Sequence, residues 1–414
     1  MISSRAGMSI GSAALIIALI FLVQKYLPAI RGAILPAPHD ITTFAPSDET
    51  PPGVVPATNL PLKLPTGFSI SIFAKNLPGA RVMTLDQFGN MWVSRTSDGA
   101  VALLEIGSDG AVKHQSDVFT RLHKPHGLAF DPQHPGLLYI AEEQKIRAVT
   151  TYSEDPGTDV VKLPSAGGGH FTRTIGFGPD KKLYISVGSS CNVCNESLDT
   201  RAAMLRYDPA SRTSEVFARG LRNSVFFAWN PGTKKLFATE MGRDWLGDNI
   251  PPDEINVIEE GKNYGWPNCY GKNVHDTNFD KNTYIRNPCR EPFETPSAID
   301  IPAHSAPLGL AFIPADSKWP KEYWGNLLVA YHGSWNRTQP TGYKVVRYVL
   351  NEQGTSQSDS RQAVISEQDF ISGWLTPQGA LGRPVDILVK TDGTMYLSDD
   401  KAGVIYRITA SLQK

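Results

Sequence analysis

Short apolar stretches separated by turns recur along the chain, and their spacing is typical of β-strands. Each unit has one apolar stretch, a turn containing Pro, Asp, Asn or Gly, and a second stretch that ends in aromatic or aliphatic residues. The copies are VMTLDQFGNMWVS, GLAFDPQHPGLLYIA, TIGFGPDKKLYIS, VFFAWNPGTKKLFAT, GLAFIPADSKWPKEYWGNLLVA and VDILVKTDGTMYLS. Alternating stretches between the copies, such as ISIFAK, KIRAVT and YKVVRYVL, bring each unit to about four strands. The sequence therefore predicts an all-β fold, a six-bladed β-propeller with four-stranded blades.

A pair of β-sandwiches is the alternative fold. The propeller is favoured because the copies resemble one another at irregular spacings, and because the extra length between the fourth and fifth copies, residues 244–307, is readily a loop insertion on one face. The C-terminal stretch AGVIYRI is a candidate to pair with a strand from the N-terminal end and close the ring.

The N-terminal segment has a different pattern from the rest. MSIGSAALIIALIFLV, residues 8–23, contains no ionisable group, which predicts a hydrophobic helix. We expect residues 1–35 to be a signal anchor or a signal peptide, and the absence of a small-x-small cleavage site at residues 24–26 favours the anchor. Residues 36–62 are rich in proline and predict an extended linker, and residues 63–414 form the predicted propeller catalytic domain. These features predict a periplasmic protein tethered to the cytoplasmic membrane, or an exported one.

Composition adds two constraints. With 41% hydrophobic and 20% charged residues among 414, the chain has enough apolar side chains for a full core. Because the formal net charge is −1, nothing in the overall balance suggests nucleic acid or another polyanion as a partner. Recognition by charge must therefore be local.

Four cysteines fall into two pairs, Cys191 with Cys194 and Cys269 with Cys289. Two disulfides in an oxidising compartment fit this spacing. A four-thiolate zinc site is the alternative, although the second pair lacks the close spacing of zinc modules.

Polar and basic residues occur at one register in five of the six copies. The copies align on the residue that ends the first strand of each, namely Leu85, Phe130, Phe177, Trp229, Phe312 and Val389. Six to eight residues upstream of these positions stand His123 and Lys124, His170, Arg222 and Asn223, His304 and Ser305, and Arg383. Since first strands line the channel of a propeller, these side chains should converge at one mouth of it. Clustered cations repel one another unless an anion lies among them, so the register predicts a small polyanionic ligand.

Several longer motifs resemble the soluble quinoprotein glucose/sorbosone dehydrogenases, and the sorbosone dehydrogenase branch most of all. The resemblance covers roughly residues 60–410 and is carried by GGGHFTRTIGFGPDKKLYIS, ARGLRNSVFFAWNP, DEINVIEEGKNYGWPN, HSAPLGLAF, HGSWNRTQPTGYKVVRY and GRPVDILVKTDGTMYLSDDKAGVIYRI. It implies a six-bladed propeller that holds pyrroloquinoline quinone (PQQ) and calcium and oxidises a sugar or polyol. Electrons would pass to a periplasmic quinone or cytochrome.

The resemblance also implies roles for individual residues. His170 matches the general base, and Arg222, Asn223 and Arg383 match cofactor ligands. Backbone oxygens at Gly242 and Arg243 match the ligands of the catalytic calcium. A structural calcium is implied at Glu254 and the backbone of Tyr264, for which a plain acidic loop is the alternative. Further candidates for cofactor binding are Arg337, His123, Lys124, His304 and His332.

Two departures bear on function. Ser189 stands where glucose-oxidising relatives have the aspartate that orients the base, and Val385 stands where they have a second arginine. These departures leave open a second interpretation, a propeller that keeps the fold as a binding module without catalysis. A calcium-dependent lactonase would require acidic ligands at positions that are basic here.

Overall fold

The structure, a computed structural model, describes residues 60–153, 156–167, 169–290, 292, 294–350 and 364–410. The predicted N-terminal helix and the linker up to residue 59 lie outside the described residues. Within the described part of the chain, no helix has the length and hydropathy that crossing a bilayer requires.

The described residues form six antiparallel sheets of four strands each, so the predicted six-bladed propeller is confirmed. The first blade consists of β2 (Ala80–Leu85), β3 (Met91–Arg95), β4 (Ala100–Ile106) and β5 (Val112–Phe119). The second consists of β6 (Leu128–Phe130), β7 (Leu137–Ala141), β8 (Lys145–Thr150) and β9 (Thr158–Lys162). The third consists of β10 (Ile175–Phe177), β11 (Leu183–Val187), β12 (Ala203–Asp208) and β13 (Thr213–Arg219). The fourth blade consists of β14 (Phe227–Trp229), β15 (Leu236–Glu240), β16 (Asp253–Ile258) and β19 (Ile299–Ile301). The fifth consists of β20 (Pro307–Phe312), β21 (Leu327–Tyr331), β22 (Lys344–Leu350) and β23 (Val364–Ile371). The sixth consists of β26 (Pro384–Val389), β27 (Thr394–Asp399), β28 (Val404–Ala410) and β1 (Phe68–Ala74).

Strand β1 closes the ring. It pairs antiparallel with β28, from Phe68 opposite Ala410 to Ala74 opposite Ile405, and so forms the outer strand of the sixth blade. The predicted pairing of the C-terminal stretch with the N-terminal end is therefore confirmed. Closure of this kind leaves no free edge between the first and last blades.

The six residues on which the copies were aligned each end the first strand of a blade, as predicted. One apolar cluster joins residues at or next to the first strands of five blades, namely Val82, Leu128, Phe226, Leu308 and Val385. Each side chain of this size contributes about 1.5–3 kcal/mol when fully buried. Val385, with no exposed surface, belongs to this core, which explains why this position carries no charge.

The long segment 244–307 holds more than an insertion. It contains β16 and β19, the third and fourth strands of the fourth blade. The inserted part lies between them and carries a small hairpin, β17 (Cys269–Tyr270) and β18 (Val274–His275). Another hairpin, β24 (Leu375–Thr376) with β25 (Gly379–Ala380), precedes the sixth blade, and a 3-10 helix spans Lys321–Tyr323.

Both predicted disulfides are present, Cys191–Cys194 and Cys269–Cys289, and no cysteine is left for zinc. The second disulfide closes the inserted part of the fourth blade.

Candidate active site

Two sets of segments meet at one face of the propeller. One set precedes the first strand of each blade, and the other connects the second strand to the third. The start of a first strand lies opposite the end of its second strand, for example Pro384 opposite Asp399 and Pro307 opposite Tyr331. Side chains from both sets are therefore placed at the same edge of the sheets. The register of polar and basic residues predicted only the first set. Gly242, Arg243, His332 and Arg337, which belong to the second set, were predicted from the family resemblance.

His170 lies in the segment before β10 and is anchored through one nitrogen. Its Nδ1 donates to the carbonyl oxygen of Ser189 at 3.1 Å and to the Ser189 Oγ at 3.0 Å. The Ser189 hydroxyl uses its own proton on the carbonyl of Cys191, at 2.7 Å, so it can only accept from the histidine. This network places the imidazole proton on Nδ1 and leaves a lone pair on Nε2, which makes no hydrogen bond within the described residues.

Two glycines allow the loop to pack this closely. A Cβ on Gly169 would lie 2.6 Å from the carbonyl oxygen of Ser189 and 2.4 Å from the carbonyl carbon of Ser190. A Cβ on Gly188 would lie 2.6 Å from the Cβ of His170 and 2.9 Å from the Oδ1 of Asn223. All four distances are shorter than real Cβ contacts. The close packing of His170 and Asn223 on either side of position 188 therefore requires a glycine there.

Burial, together with the nearby positive charge of Arg222, lowers the pKa of His170 to about 3. The ordinary value for histidine is about 6.5. Without a ligand, the imidazole is therefore neutral across the physiological range, with Nε2 able to accept a proton.

This pKa shift predicts how the ligand-free protein responds to acid. Between pH 6.5 and about 3 the unfolded chain binds a proton at His170 that the folded chain does not, so folding stability falls as the pH is lowered through this window. In NMR spectra, the C2 proton of His170 should titrate far below pH 6.5. The variant His170→Asn assigns the resonance and should lose less stability between pH 6.5 and 4. A midpoint near pH 6.5 for His170 would contradict the burial described here.

Arg222 is buried, with 5% of its surface exposed, and all five of its N–H donors are used. Its Nε and one terminal nitrogen donate to the backbone oxygen and to the Oδ1 of Asn192, each at 2.8 Å. The other terminal nitrogen donates to the carbonyls of Met241 at 3.2 Å and Gly242 at 2.9 Å. A last bond reaches Asp244 Oδ2 at 3.2 Å. Arg222 therefore ties together the loops after β11 and after β15.

The short disulfide supports both groups. Cys191 supplies the carbonyl that fixes the Ser189 hydroxyl, and Asn192, within the same four-residue ring, supplies two acceptors to Arg222. The role of the C-x-x-C motif in this structure is thus to shape the loop that positions His170 and Arg222.

Asp244 connects this group to the fifth blade. Besides Arg222, it accepts a hydrogen bond from Nδ2 of Asn336 at 2.5 Å and lies 4.0 Å from Nδ1 of His304. His304 itself donates through Nε2 to the carbonyl of Gly247 at 2.8 Å. The predicted residues His304 and Arg222 are thus brought to opposite sides of one carboxylate that the sequence analysis missed.

A second cluster forms where the sixth blade meets the first. Asp400 accepts from Nε2 of His332 at 2.9 Å and from Arg81 at 2.7 Å. These partners hold the pKa of Asp400 below its ordinary value, against the effect of burial. Arg383 donates from Nε to the carbonyl of His332 at 3.1 Å and from one terminal nitrogen to the carbonyls of Gly333 and Ser334.

Three further predicted residues have other partners. Lys124 pairs with Glu143 at 2.9 Å, and its ammonium lies 4.7 Å from the centre of the Phe171 ring. His123 is mostly exposed, 3.7 Å from the same carboxylate. Arg337 donates to the carbonyl of Ala303 and to the side chain of Asn249, each at 3.0 Å.

The predicted cations are thus neutralised partly by the protein itself, through Glu143, Asp244 and Asp400. Repulsion among them does not by itself require a bound anion, which corrects that step of the sequence argument. Polar nitrogens nevertheless remain unpartnered. Within the described residues no hydrogen bond is made by the buried Nε of Arg81 or the buried Nε2 of His126, nor by the second terminal nitrogen of Arg383 or Nε2 of His170. The arginine nitrogens are donors that fit a ligand with several carboxylates and carbonyls, whereas Nε2 of His170 carries a lone pair and can accept a proton.

A cavity in the fourth blade, which Arg222 also lines, holds two buried carboxylates. Glu240 and Glu254 both line it, together with Gly242 and Tyr264. Burial raises the pKa of Glu240 well above the ordinary value and that of Glu254 to about 7. Glu254 accepts from the backbone N–H of Gly271 and the side chain of Asn256. Glu240 accepts the N–H of Asn223 through Oε1, and its Oε2 is buried without a hydrogen-bond partner among the described residues.

The predicted metal ligands thus occupy one region, with two qualifications. The carbonyl of Gly242 already accepts from Arg222, whereas the Arg243 side chain pairs with Asp276 at 2.5 Å. Glu240 was not predicted from sequence, although it ends the second strand of its blade directly before the Met241-Gly242 turn.

Comparisons with known proteins agree with this architecture. A family model described as TrAA12-like matches residues 62–411. The chain belongs to this family. It is 33% identical over 369 residues to an uncharacterized protein of Borreliella burgdorferi, which covers 84% of this chain and 90% of that protein.

Two further relatives are more distant. The chain is 24% identical over 411 residues to the pyrroloquinoline quinone-dependent pyranose dehydrogenase of Coprinopsis cinerea, covering 85% of this chain and 55% of that protein. The fold resembles the calcium structure of a carbohydrate-active enzyme of family AA12 from Trichoderma reesei, with a TM-score of 0.71 at 20% identity, over 86% of this chain and 98% of that one. The family relationship predicted from the motifs is confirmed, whereas the sorbosone branch stays a prediction.

Proposed function

We propose that this protein is a PQQ- and calcium-dependent dehydrogenase that oxidises a hydroxyl group of a pyranose or another aldose. The observation that carries the proposal is His170, a neutral imidazole with its Nδ1 proton fixed by Ser189 and its Nε2 free, at the face where cationic side chains converge. Membership in a family related to the fungal pyranose dehydrogenase supports the same reaction class.

The chemistry divides between cofactor and protein. When bound, the quinone would accept the hydride of the carbinol carbon, that is, two electrons and one proton. His170 accepts the remaining hydroxyl proton on Nε2, so the sugar alcohol becomes a carbonyl or lactone. Ser189 keeps the ring oriented and the Nδ1 proton in place during this transfer. Without a carboxylate at position 189, the imidazolium that forms is stabilised by hydrogen bonding rather than by a full negative charge.

The protein groups available to hold the cofactor are those with unpartnered nitrogens, Arg81, His126 and Arg383, together with Asn223 beside His170. Arg222 would contribute only by exchanging one of its present bonds. The carbonyl of Gly242 already accepts from Arg222, so a cation on the same oxygen would lie close to the guanidinium and be repelled by it. Binding of calcium to the Gly242 carbonyl would therefore favour release of one Arg222 donor, which could then bind the cofactor.

A second calcium would fit the cavity of the fourth blade. The buried, unpartnered Oε2 of Glu240 and the carboxylate of Glu254 are hard oxygen ligands of the type calcium prefers. In this position the ion would supply the positive charge that two neighbouring buried carboxylates lack.

Reconstitution tests the proposed function directly. Purified protein is loaded with PQQ and calcium and mixed with aldoses and an electron-accepting dye. Saturable dye reduction that requires both additions is expected. Tight cofactor binding without turnover on any sugar would instead favour a binding module without catalysis, for which the neutral Ser189 and the fully engaged Arg222 are the supporting observations. Absence of cofactor binding would contradict both.

Removal of the Ser189 hydroxyl is expected to slow the reaction moderately. Ser189→Ala deletes one of the two acceptors of the His170 Nδ1 proton but keeps the carbonyl, and a hydrogen bond of this kind contributes about 1 kcal/mol, or roughly a fivefold change in kcat. Ser190→Ala is the matched control, since that hydroxyl bonds to Glu196 rather than to His170. Equal kcat values for both variants would show that Ser189 does not position the base.

Calcium is expected to stabilise the protein through Glu240. At a concentration one hundred times its Kd, a ligand that binds only the folded state adds about 2.7 kcal/mol, measurable as a rise in Tm. Glu240→Gln should reduce this rise, whereas Glu259→Gln, an exposed carboxylate of the same blade, should leave it unchanged. A Tm of the wild-type protein that is insensitive to calcium and to chelators would contradict the proposed site.

We also propose that the domain works outside the cytoplasm, where the two disulfides would persist. The electron acceptor there would be a membrane quinone or a cytochrome.

A further inference from the structure

Two exposed tryptophans stand together beside the proposed active site. Trp245 lies in the connection between β15 and β16, and Trp335 in the connection between β21 and β22. Their rings meet edge to face, with centroids 6.1 Å apart. The exposed fractions are 48% and 44%, and the other six of the eight tryptophans are buried or half-buried.

Contacts to Asp244 hold the pair in place. Asp244 directly precedes Trp245, and Asn336 directly follows Trp335. The hydrogen bond between Asn336 Nδ2 and Asp244 joins the two loops, and the other oxygen of the same carboxylate accepts from Arg222. Trp245 also has a φ of +77°, a conformation that costs energy for a bulky residue and so indicates that its surroundings fix it. The carboxylate of Asp244, which pairs with Arg222, therefore also holds the two indole-bearing loops in place.

Polar groups without partners accompany the indoles. A pocket there is lined by Trp245, Gly247, Asp248, His304 and Asn336. Asn336 is 7% exposed, and because its nitrogen faces a carboxylate, its Oδ1 is the atom left buried without a hydrogen bond. One oxygen of Asp248 accepts from the N–H of Thr338, and the other has no partner within the described residues. The pocket thus offers hydrogen-bond acceptors next to two aromatic surfaces.

This combination matches the chemistry of a sugar ring. A pyranose has an apolar face of C–H groups that packs on an aromatic ring, and a rim of hydroxyl donors that need acceptors. The position is suited to a ring next to the one being oxidised. The loop that bears Trp245 contacts Arg222 through Met241, Gly242 and Asp244. Asn336, next to Trp335, contacts the same Asp244 carboxylate, and the positive charge of Arg222 acts on His170.

We propose that Trp245 and Trp335, with Asn336 and Asp248, form a subsite for a second pyranose ring, so that oligosaccharides are preferred over monosaccharides as substrates. This inference rests on the proposed sugar oxidation at His170.

Kinetics on matched sugars tests the subsite in the reconstituted protein. The substrate pairs are glucose with cellobiose, glucose with maltose, and mannose with mannobiose. For at least one pair, the disaccharide is expected to have a KM about tenfold lower than the monosaccharide. Trp245→Ala and Trp335→Ala should each raise that KM about five- to tenfold and leave kcat/KM for the monosaccharide within twofold.

The matched control is Phe88→Ala. Phe88 is 68% exposed and forms a similar edge-to-face pair with Tyr152, but it lies in the connection between β2 and β3, at the opposite face of the propeller. Its removal should change neither KM. Disaccharides that bind no better than monosaccharides, or tryptophan variants that weaken both sugars equally, would overturn the subsite.

Binding provides a readout that does not depend on turnover. Titration of the purified protein with the same sugars should change the indole fluorescence more for the disaccharide, and the change should be lost in the two alanine variants. If no sugar is oxidised but this titration gives the expected difference, the proposed function fails and the subsite stands. If monosaccharides are oxidised and the titration shows no difference, only the subsite fails.

Discussion

Replacing His170 with asparagine is expected to lower kcat about 10²- to 10⁴-fold, the range that a positioned general base contributes. The amide nitrogen of asparagine takes nearly the place of Nδ1, so the bonds to Ser189 can be retained while the accepting nitrogen, Nε2, is lost. Affinity for the cofactor should therefore change little. The measurement combines calorimetric titration of the cofactor with steady-state dye reduction.

His134→Asn is the control for this variant. His134 is exposed in the turn between β6 and β7, away from the face that bears His170, and contacts Asp131. Its replacement should leave kcat unchanged. If His170→Asn kept more than a tenth of the wild-type kcat with the cofactor bound, His170 would not be the general base.

Replacing Arg222 with methionine is expected to weaken cofactor binding, because the loops after β11 and β15 lose the side chain that joins them. It should also lower the free energy of unfolding by about 3–5 kcal/mol, the usual cost of removing one partner of a buried ion pair. The half-buried acceptors of Asn192, Met241, Gly242 and Asp244 would each lose the hydrogen bond from Arg222. Denaturant unfolding followed by tryptophan fluorescence measures the change.

Arg219→Met is the comparison variant. Its side chain is 51% exposed, and it lies 3.7 Å from an exposed aspartate, so its loss should cost less than about 1 kcal/mol. Equal stabilities for the two variants would mean that the network around Arg222 does not hold the loops together.

Much of the fold could be predicted from the sequence because each blade repeats one physical requirement, an apolar first strand packed against its neighbours. The strand ends at Phe177 and Trp229 fell on the aligned positions for this reason. The ring closure through β1 could only be suggested. An outer strand is half exposed, so the alternation of apolar and polar residues in ISIFAK would be the same if the strand belonged to another sheet. The length of segment 244–307 hid two strands of the fourth blade, because its inserted hairpin interrupts the repeat.

The candidate site was predicted in part. His170 was identified by its position before a first strand, and the structure places it beside Asn223 across Gly188. Asp244 and Asp400 were missed because they follow second strands, in connections of unequal length that do not align between blades. A signal existed: an acidic residue stands within a few positions of the end of the second strand in several blades.

Other features depend on burial, which a single sequence does not display. Arg81 was missed because it lies within its strand rather than before it. The hydrogen bonds from Arg222 to backbone carbonyls could not be predicted either, because every residue has a carbonyl. The unpartnered oxygens of Glu240 and Asn336 became visible only when every hydrogen bond around them was known.

The most direct test of the whole account is a crystal structure of the protein loaded with PQQ and calcium. The account predicts cofactor density at the face where the segments before the first strands meet, among His170, Asn223 and Arg383. Cofactor bound elsewhere on the propeller, away from His170, would contradict it.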